Sequence, residues 1–176
     1  MEGIEKLDIA NPEAVTNWHE RYLLFESIND KIDMTVQAKR TAFYLTKIGK
    51  EAYDLLKSRT FPELPKDKKV EELQDILVGE IRPKHFALAE RKKFHNLIRK
   101  DNESFRSFML RLQTAAINCK FDTNLDDSLR DRIVAGINHS EVEKKLLEEA
   151  SLTYARAREI LETWDDVNSA VVRTSS

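Results

Sequence analysis

Four histidines, one cysteine and two Asp-Asp pairs are the side chains in this 176-residue chain whose types and spacing could support chemistry. A helical metal site needs ligands three or four residues apart, and His19, His85, His95 and His139 have neither histidine partners at those spacings nor a partner cysteine. Cys119 ends an amphipathic stretch among apolar neighbours. Nothing nearby would lower its pKa, so it reads as a small core residue and not as a nucleophile. The glycines match neither a P-loop nor a dinucleotide fingerprint, and no nucleophilic triad can be argued. Asp126-Asp127 opens an expected helix, where carboxylates complement the macrodipole; Asp165-Asp166 is the second pair. The expectation is a chain without enzymatic activity or cofactor.

Charge carries the stronger signal. The net charge is −2 and the isoelectric point near 6.1, so a polyanion would have to bind a local patch and not the whole surface. Residues 82–111 supply one, with nine Lys and Arg against three Asp and Glu. Arg91, Lys92 and Lys93 are its densest part and the candidate polyanion contact. A solvated helix face explains the same run, and Phe86, Phe94 and Phe105 within it stand at core spacing.

These groups must be carried by helices. Only 4 Gly and 4 Pro occur, about a third to a half of ordinary usage, and no stretch alternates with period two between glycine turns. Asn11-Pro12 reads as a helix opening, followed by Val15, Trp18, Tyr22, Phe25 and Asn29 on one face. A second helix starts near Met34 and carries Thr41, Tyr44, Leu45 and Ile48 to a stop at Gly49, and a third carries Ala52, Leu55 and Leu56. Phe61-Pro62-Glu63-Leu64-Pro65 is a loop. Val70, Leu73, Leu77 and Ile81 mark a fourth helix, interrupted by Arg82-Pro83, and a fifth runs to about Arg99. Phe105, Phe108, Met109, Leu112, Ala116 and Cys119 form the sixth stripe, and Leu129, Ile133, Gly136 and Ile137 lie on the seventh. Val142, Leu146 and Leu147 mark the eighth, and Ala157, Ile160, Leu161, Trp164 and Val171 the ninth.

The sequence therefore predicts an all-α chain of about nine helices, divided at the polar stretch 99–102 into lobes 1–99 and 100–176, with a frayed tail from Arg173 to Ser176. A lone cysteine excludes an internal disulfide framework and fits a reducing compartment. The acidic start is unlike a signal peptide, and no apolar run approaches the roughly 18 residues of a membrane span. A cytoplasmic chain without membrane partners is expected.

One stretch says more. Ile98 to Leu112, with Glu103, Phe105, Phe108, Arg111 and Leu112, resembles the major homology region of retroviral and Ty3/gypsy retrotransposon Gag capsid proteins. Lys100-Asp101 stands where the retroviral motif has Gln-Gly, and the spacing is one residue shorter. The likeness extends outward. Asn11-Pro12 with Trp18, Arg21 and Phe25, Gly49 to Leu56, Glu90 to Phe94, and Leu129 to Ile137 followed by Lys145-Leu146-Leu147 and Leu152-Thr153 keep the family's order.

The resemblance implies a two-lobed retroviral-capsid-like protein that self-assembles, through C-lobe dimers and hexamers or pentamers, into a virus-like particle in the cytoplasm. It implies RNA packaged indirectly or by a downstream zinc-knuckle region missing here. It also implies an alternative: a domesticated, Arc-like scaffold that binds short peptides in the N-terminal lobe and forms no particles. By the same resemblance the seventh helix is the candidate dimer element. Leu129, Ile133 and Ile137 face its core, while Arg130 and Val134 fall on a neighbouring face; Val134 as one more core residue is the open alternative. On one ideal helix, Glu103 and Arg111 would stand about 12 Å apart along the axis. Glu103 is accordingly expected at the helix start or before it, or paired elsewhere.

Overall fold

The computed structural model describes residues 3–174. Nine α-helices and two single 3-10 turns together make the described residues 69% helical, and there is no strand among them. No helix among them is long and apolar enough to cross a membrane. The helices sort into two compact units, the first ending at Lys84 and the second beginning at His85.

In the first unit, α1 (Ala14–Ser27), α2 (Gln37–Lys47), α3 (Lys50–Thr60) and α4 (Val70–Ile81) each bury one stripe. Val15, Trp18 and Tyr22 of α1 meet Phe43 and Tyr44 of α2, Ala52 and Leu56 of α3, and Val70, Leu73 and Leu77 of α4. Gly49 joins α2 to α3 at φ +89°, where a Cβ would also press on the Lys6 side chain; only glycine takes that turn without strain. The Phe61-Pro62 peptide is cis, and Pro65–Asp67 forms a 3-10 turn.

In the second unit, α5 (Phe86–His95), α6 (Phe105–Ala116), α7 (Leu125–Gly136), α8 (Ser140–Glu148) and α9 (Tyr154–Thr174) enclose a second core. Phe94, Phe108, Leu112, Cys119, Ile133, Ile137, Val142, Leu146 and Leu161 are fully buried in it.

The structure corrects the sequence reading in several places. The division falls at Arg82-Pro83-Lys84 and not at 99–102, because α5 contributes Phe94 to the second core and its Arg91 grips carbonyls beyond α6. The fifth helix ends at His95 and not near Arg99, whose backbone N–H is taken by Gly136 O at 2.8 Å. The first helix begins at Ala14, since Asn11 Oδ1 accepts from Glu13 N in a turn ahead of it. Asn29 lies past its end and accepts from the Lys31 and Ile32 N–H groups. On α9 the apolar period persists to Val171, but that residue is 58% exposed and not part of the core. Arg173 and Thr174 are still helical; Ser175 and Ser176 lie outside the described residues.

Candidate functional site

The segment from Leu97 to Leu112 enters α6 through two arginines. Arg99 is buried, and its guanidinium donates to carbonyls on both sides of the chain: Ile137 O (2.7 Å), Asn138 O (3.0 Å), Lys100 O (3.0 Å) and Glu103 O (2.7 Å). Its flat face lies 4.9 Å from the centre of the Phe105 ring. Asn138, at φ 49°, returns the contact by donating Nδ2 to Arg99 O and to Asp101 Oδ1. A guanidinium carries five N–H donors in a fixed fork, which suits a turn whose carbonyls have no helical partner.

Glu103 sits one residue ahead of the helix cap, outside the regular helix. Its carboxylate receives both Arg111 Nε (2.6 Å) and Arg111 Nη2 (2.8 Å), and Arg111 Nη2 also reaches Ile98 O at 2.9 Å. Eight residues can pair because helical side chains lean toward the N-terminus and because Glu103 lies off the axis. The Arg111 hydrogen bonds hold the Glu103 carboxyl below the ordinary carboxylate range and raise the guanidinium in turn. On the inner side of the same helix, Phe105, Phe108 and Leu112 are all buried.

Three partners of this device escaped sequence reasoning. Asp165 on α9 accepts Phe105 N (3.0 Å) and Arg106 N (2.9 Å), capping the first two N–H groups of α6 from sixty residues away, while Ser104 Oγ accepts Ser107 N. Asp166 forks onto Arg106 at 2.8 and 3.2 Å. His139 caps α8 through Nδ1, accepting Val142 N, and stands edge-on to Phe105 and Trp164. The Asp-Asp pair was visible in the sequence; its distant target was not.

Arg130 and Val134 come together on one side of a shallow groove between α7 and α8, with Ala135, Leu147 and Leu152. Arg130 is held by Asp127 and Asp131, and Leu147 is 65% exposed. Val134 packs partly against the core and also lines the groove.

Arg91, Lys92 and Lys93 diverge. Arg91 donates to Cys119 O (2.6 Å) and Lys120 O (2.8 Å) with its guanidinium over the Phe121 ring, and Lys93 bonds the buried Glu90 at 3.0 Å. Lys92 is exposed on the outer face of α5, and the Lys93 side chain is also largely exposed beyond its bond to Glu90. Three converging cations for a polyanion are therefore not assembled here within one chain.

In the first unit, Phe25 and Phe43 stack at 5.7 Å with the Lys47 ammonium 5.5 and 5.3 Å from their centres, and shallow depressions flank the pair. His19 is buried against Tyr44 Oη at 2.9 Å, and burial lowers its pKa to about 4. Burial pushes the Cys119 thiol up. Among the described residues, no three His, Cys, Asp or Glu side chains gather to hold a metal ion. No family model, curated protein or solved structure matches this chain.

Proposed function

We propose that this chain is a Gag-type capsid protein whose activity is self-association into a closed shell. The observation that carries this reading is the homology-like segment acting as one folded device. Arg99 fastens its approach, Glu103 and Arg111 close over the helix start, and Phe105, Phe108 and Leu112 anchor it in the core. Glu103 and Arg111 pair even though Lys100-Asp101 replaces the Gln-Gly of the retroviral form. In this reading the α7–α8 groove is the dimer contact. Val134, Ala135, Leu147 and Leu152 supply its apolar part, and Arg130 with Asp131 and Glu149 its mixed-charge rim, which suits a two-fold contact in which each surface meets its own copy. Shell assembly needs weak repeated contacts so that misplaced subunits can leave, and a shallow groove is of that kind.

Negative-stain electron microscopy of concentrated protein in high-salt or phosphate buffer tests the proposal. Closed shells are the expected result. Monodisperse monomers or dimers at every concentration would contradict it and favour the peptide-binding scaffold instead, with the Phe25–Phe43 surface as the place to titrate peptides.

A further inference from the structure

With Arg91 and Lys93 engaged internally, the outer face of α5 still presents His85, Leu88, Lys92 and His95 at spacings of three and four, around a shallow depression floored by Ala89. Leu88 is 63% exposed, and no acidic side chain lines the depression, because Glu90 turns inward to Lys93. An exposed leucine on a wholly basic rim calls for a partner that brings an apolar residue between carboxylates.

The same unit carries that complement. Leu125, 39% exposed at the start of α7, stands between Asp122 and Asp126, and no Lys, Arg or His occurs from Phe121 to Leu129. Other acids of the unit are engaged. Asp127 and Asp131 hold Arg130, Asp165 and Asp166 close on α6, Glu149 and Glu159 bind Arg156, and Glu162 binds Arg158. On α8, Glu141 and Glu143 precede Lys144 and Lys145, and Glu148 follows them. Among the described residues Asp122 and Asp126 make no ion pair, which leaves this corner as the unit's uncompensated acidic and apolar surface.

We infer that the Leu88–Lys92 face of α5 docks on the Asp122–Leu125–Asp126 corner of a second copy of this chain. The inference rests on the self-association reading and gives it a second contact, distinct from the α7–α8 groove. A single two-fold contact stops at a dimer, whereas two different contacts propagate. Docking removes both leucines from water and sets Lys92 and the two histidines against Asp122 and Asp126. An RNA strand would use the Lys92 charge but leave Leu88 wet, which is why a protein surface is favoured.

The test is a charge swap in nuclease-treated protein, following assembly by light scattering and the groove dimer by sedimentation velocity, with and without added RNA. Lys92→Glu and Asp126→Lys should each weaken the contact about three- to tenfold while leaving the dimer and the helical spectrum unchanged, and the double variant should restore assembly. Wild-type shells with single variants that assemble equally well would overturn this contact and leave the self-association reading standing. A wild type that never associates would take down both. Loss confined to RNA-stimulated assembly in Lys92→Glu, without rescue by Asp126→Lys, would make the face a polyanion site and overturn the second-copy assignment.

Discussion

In the unit ending at Lys84 the fully buried polar residues are uncharged rings and hydroxyls, such as His19 against Tyr44, Trp18 Nε1 on Glu5 O and Thr41 Oγ1 on Lys68 O, with the Glu26–Arg40 ion pair partly buried at the edge. In the unit beginning at His85 the corresponding place is held by a cation, Arg99, donating to carbonyls of two chain segments, and by the Glu103–Arg111 pair at its rim. Each solution has its own weakness. Neutral groups are inexpensive to bury once bonded, but a buried histidine resists protonation and becomes a liability in acid. A buried arginine loses nothing until one of its partners is removed, after which unpaired carbonyls or an unpaired charge remain.

The largest expected effect follows from removing the cation. Arg99→Met should cost about 3–5 kcal/mol, confined to the second unit, because it strips donors from buried turns without replacing them. The two tryptophans lie one in each unit, Trp18 in the first and Trp164 in the second, so urea unfolding of single-tryptophan variants reads each separately. A second unit unchanged within 1 kcal/mol would break the comparison. Phe108→Ala, which empties a fully buried site at the centre of the same core, should also cost about 3–5 kcal/mol.

Acid should separate the units next. The folded pKa of His19, lowered chiefly by burial to about 4, lies below its ordinary 6.5. Between these values the unfolded chain binds the extra proton, so the first unit loses stability as pH falls from 6.5 to 4, by up to about 3 kcal/mol. Glu103, held low by Arg111, gives stability that is intact above the ordinary glutamate range and is lost only as pH falls through its folded value. Urea midpoints between pH 7 and 4.5 should therefore drop for the Trp18 signal and stay nearly level for Trp164. His19→Phe should flatten the first curve.

Smaller effects sharpen the picture at the start of α6. Asp165→Ala should cost about 1 kcal/mol through loss of the cap to Phe105 and Arg106, whereas Asp127→Ala, which loosens an exposed pair, should fall within about 0.5 kcal/mol. Equal losses for the two would mean that the remote cap contributes no more than a surface ion pair.

Helical periodicity made the apolar skeleton legible. Val15, Trp18 and Tyr22, or Phe105, Phe108 and Leu112, bury where their spacing puts them, because a core selects for one face regardless of what lies opposite. The same signal fails where a partner is remote or missing. Arg99 counts as one more surface charge in a polar stretch until Ile137 and Asn138 are folded against it, so the stretch reads as a boundary when it is bonded into the second unit. Asp165 and the N–H groups it caps are sixty residues apart. Val171 keeps the period of α9 outside the core, since spacing records which face is apolar and not how far the core extends. Of the Arg91, Lys92 and Lys93 cluster, the sequence carries the charge but not the carbonyls that claim Arg91.

Sedimentation velocity of wild type and Val134→Asp over rising concentration tests self-association through the α7–α8 groove most directly. Val134 is half-buried there, beside exposed Leu147. The expected result is a concentration-dependent monomer–dimer equilibrium for the wild type and a monomer with an unchanged helical circular-dichroism spectrum for Val134→Asp. A wild type that remains monomeric, or a folded Val134→Asp that dimerises equally well, would contradict it.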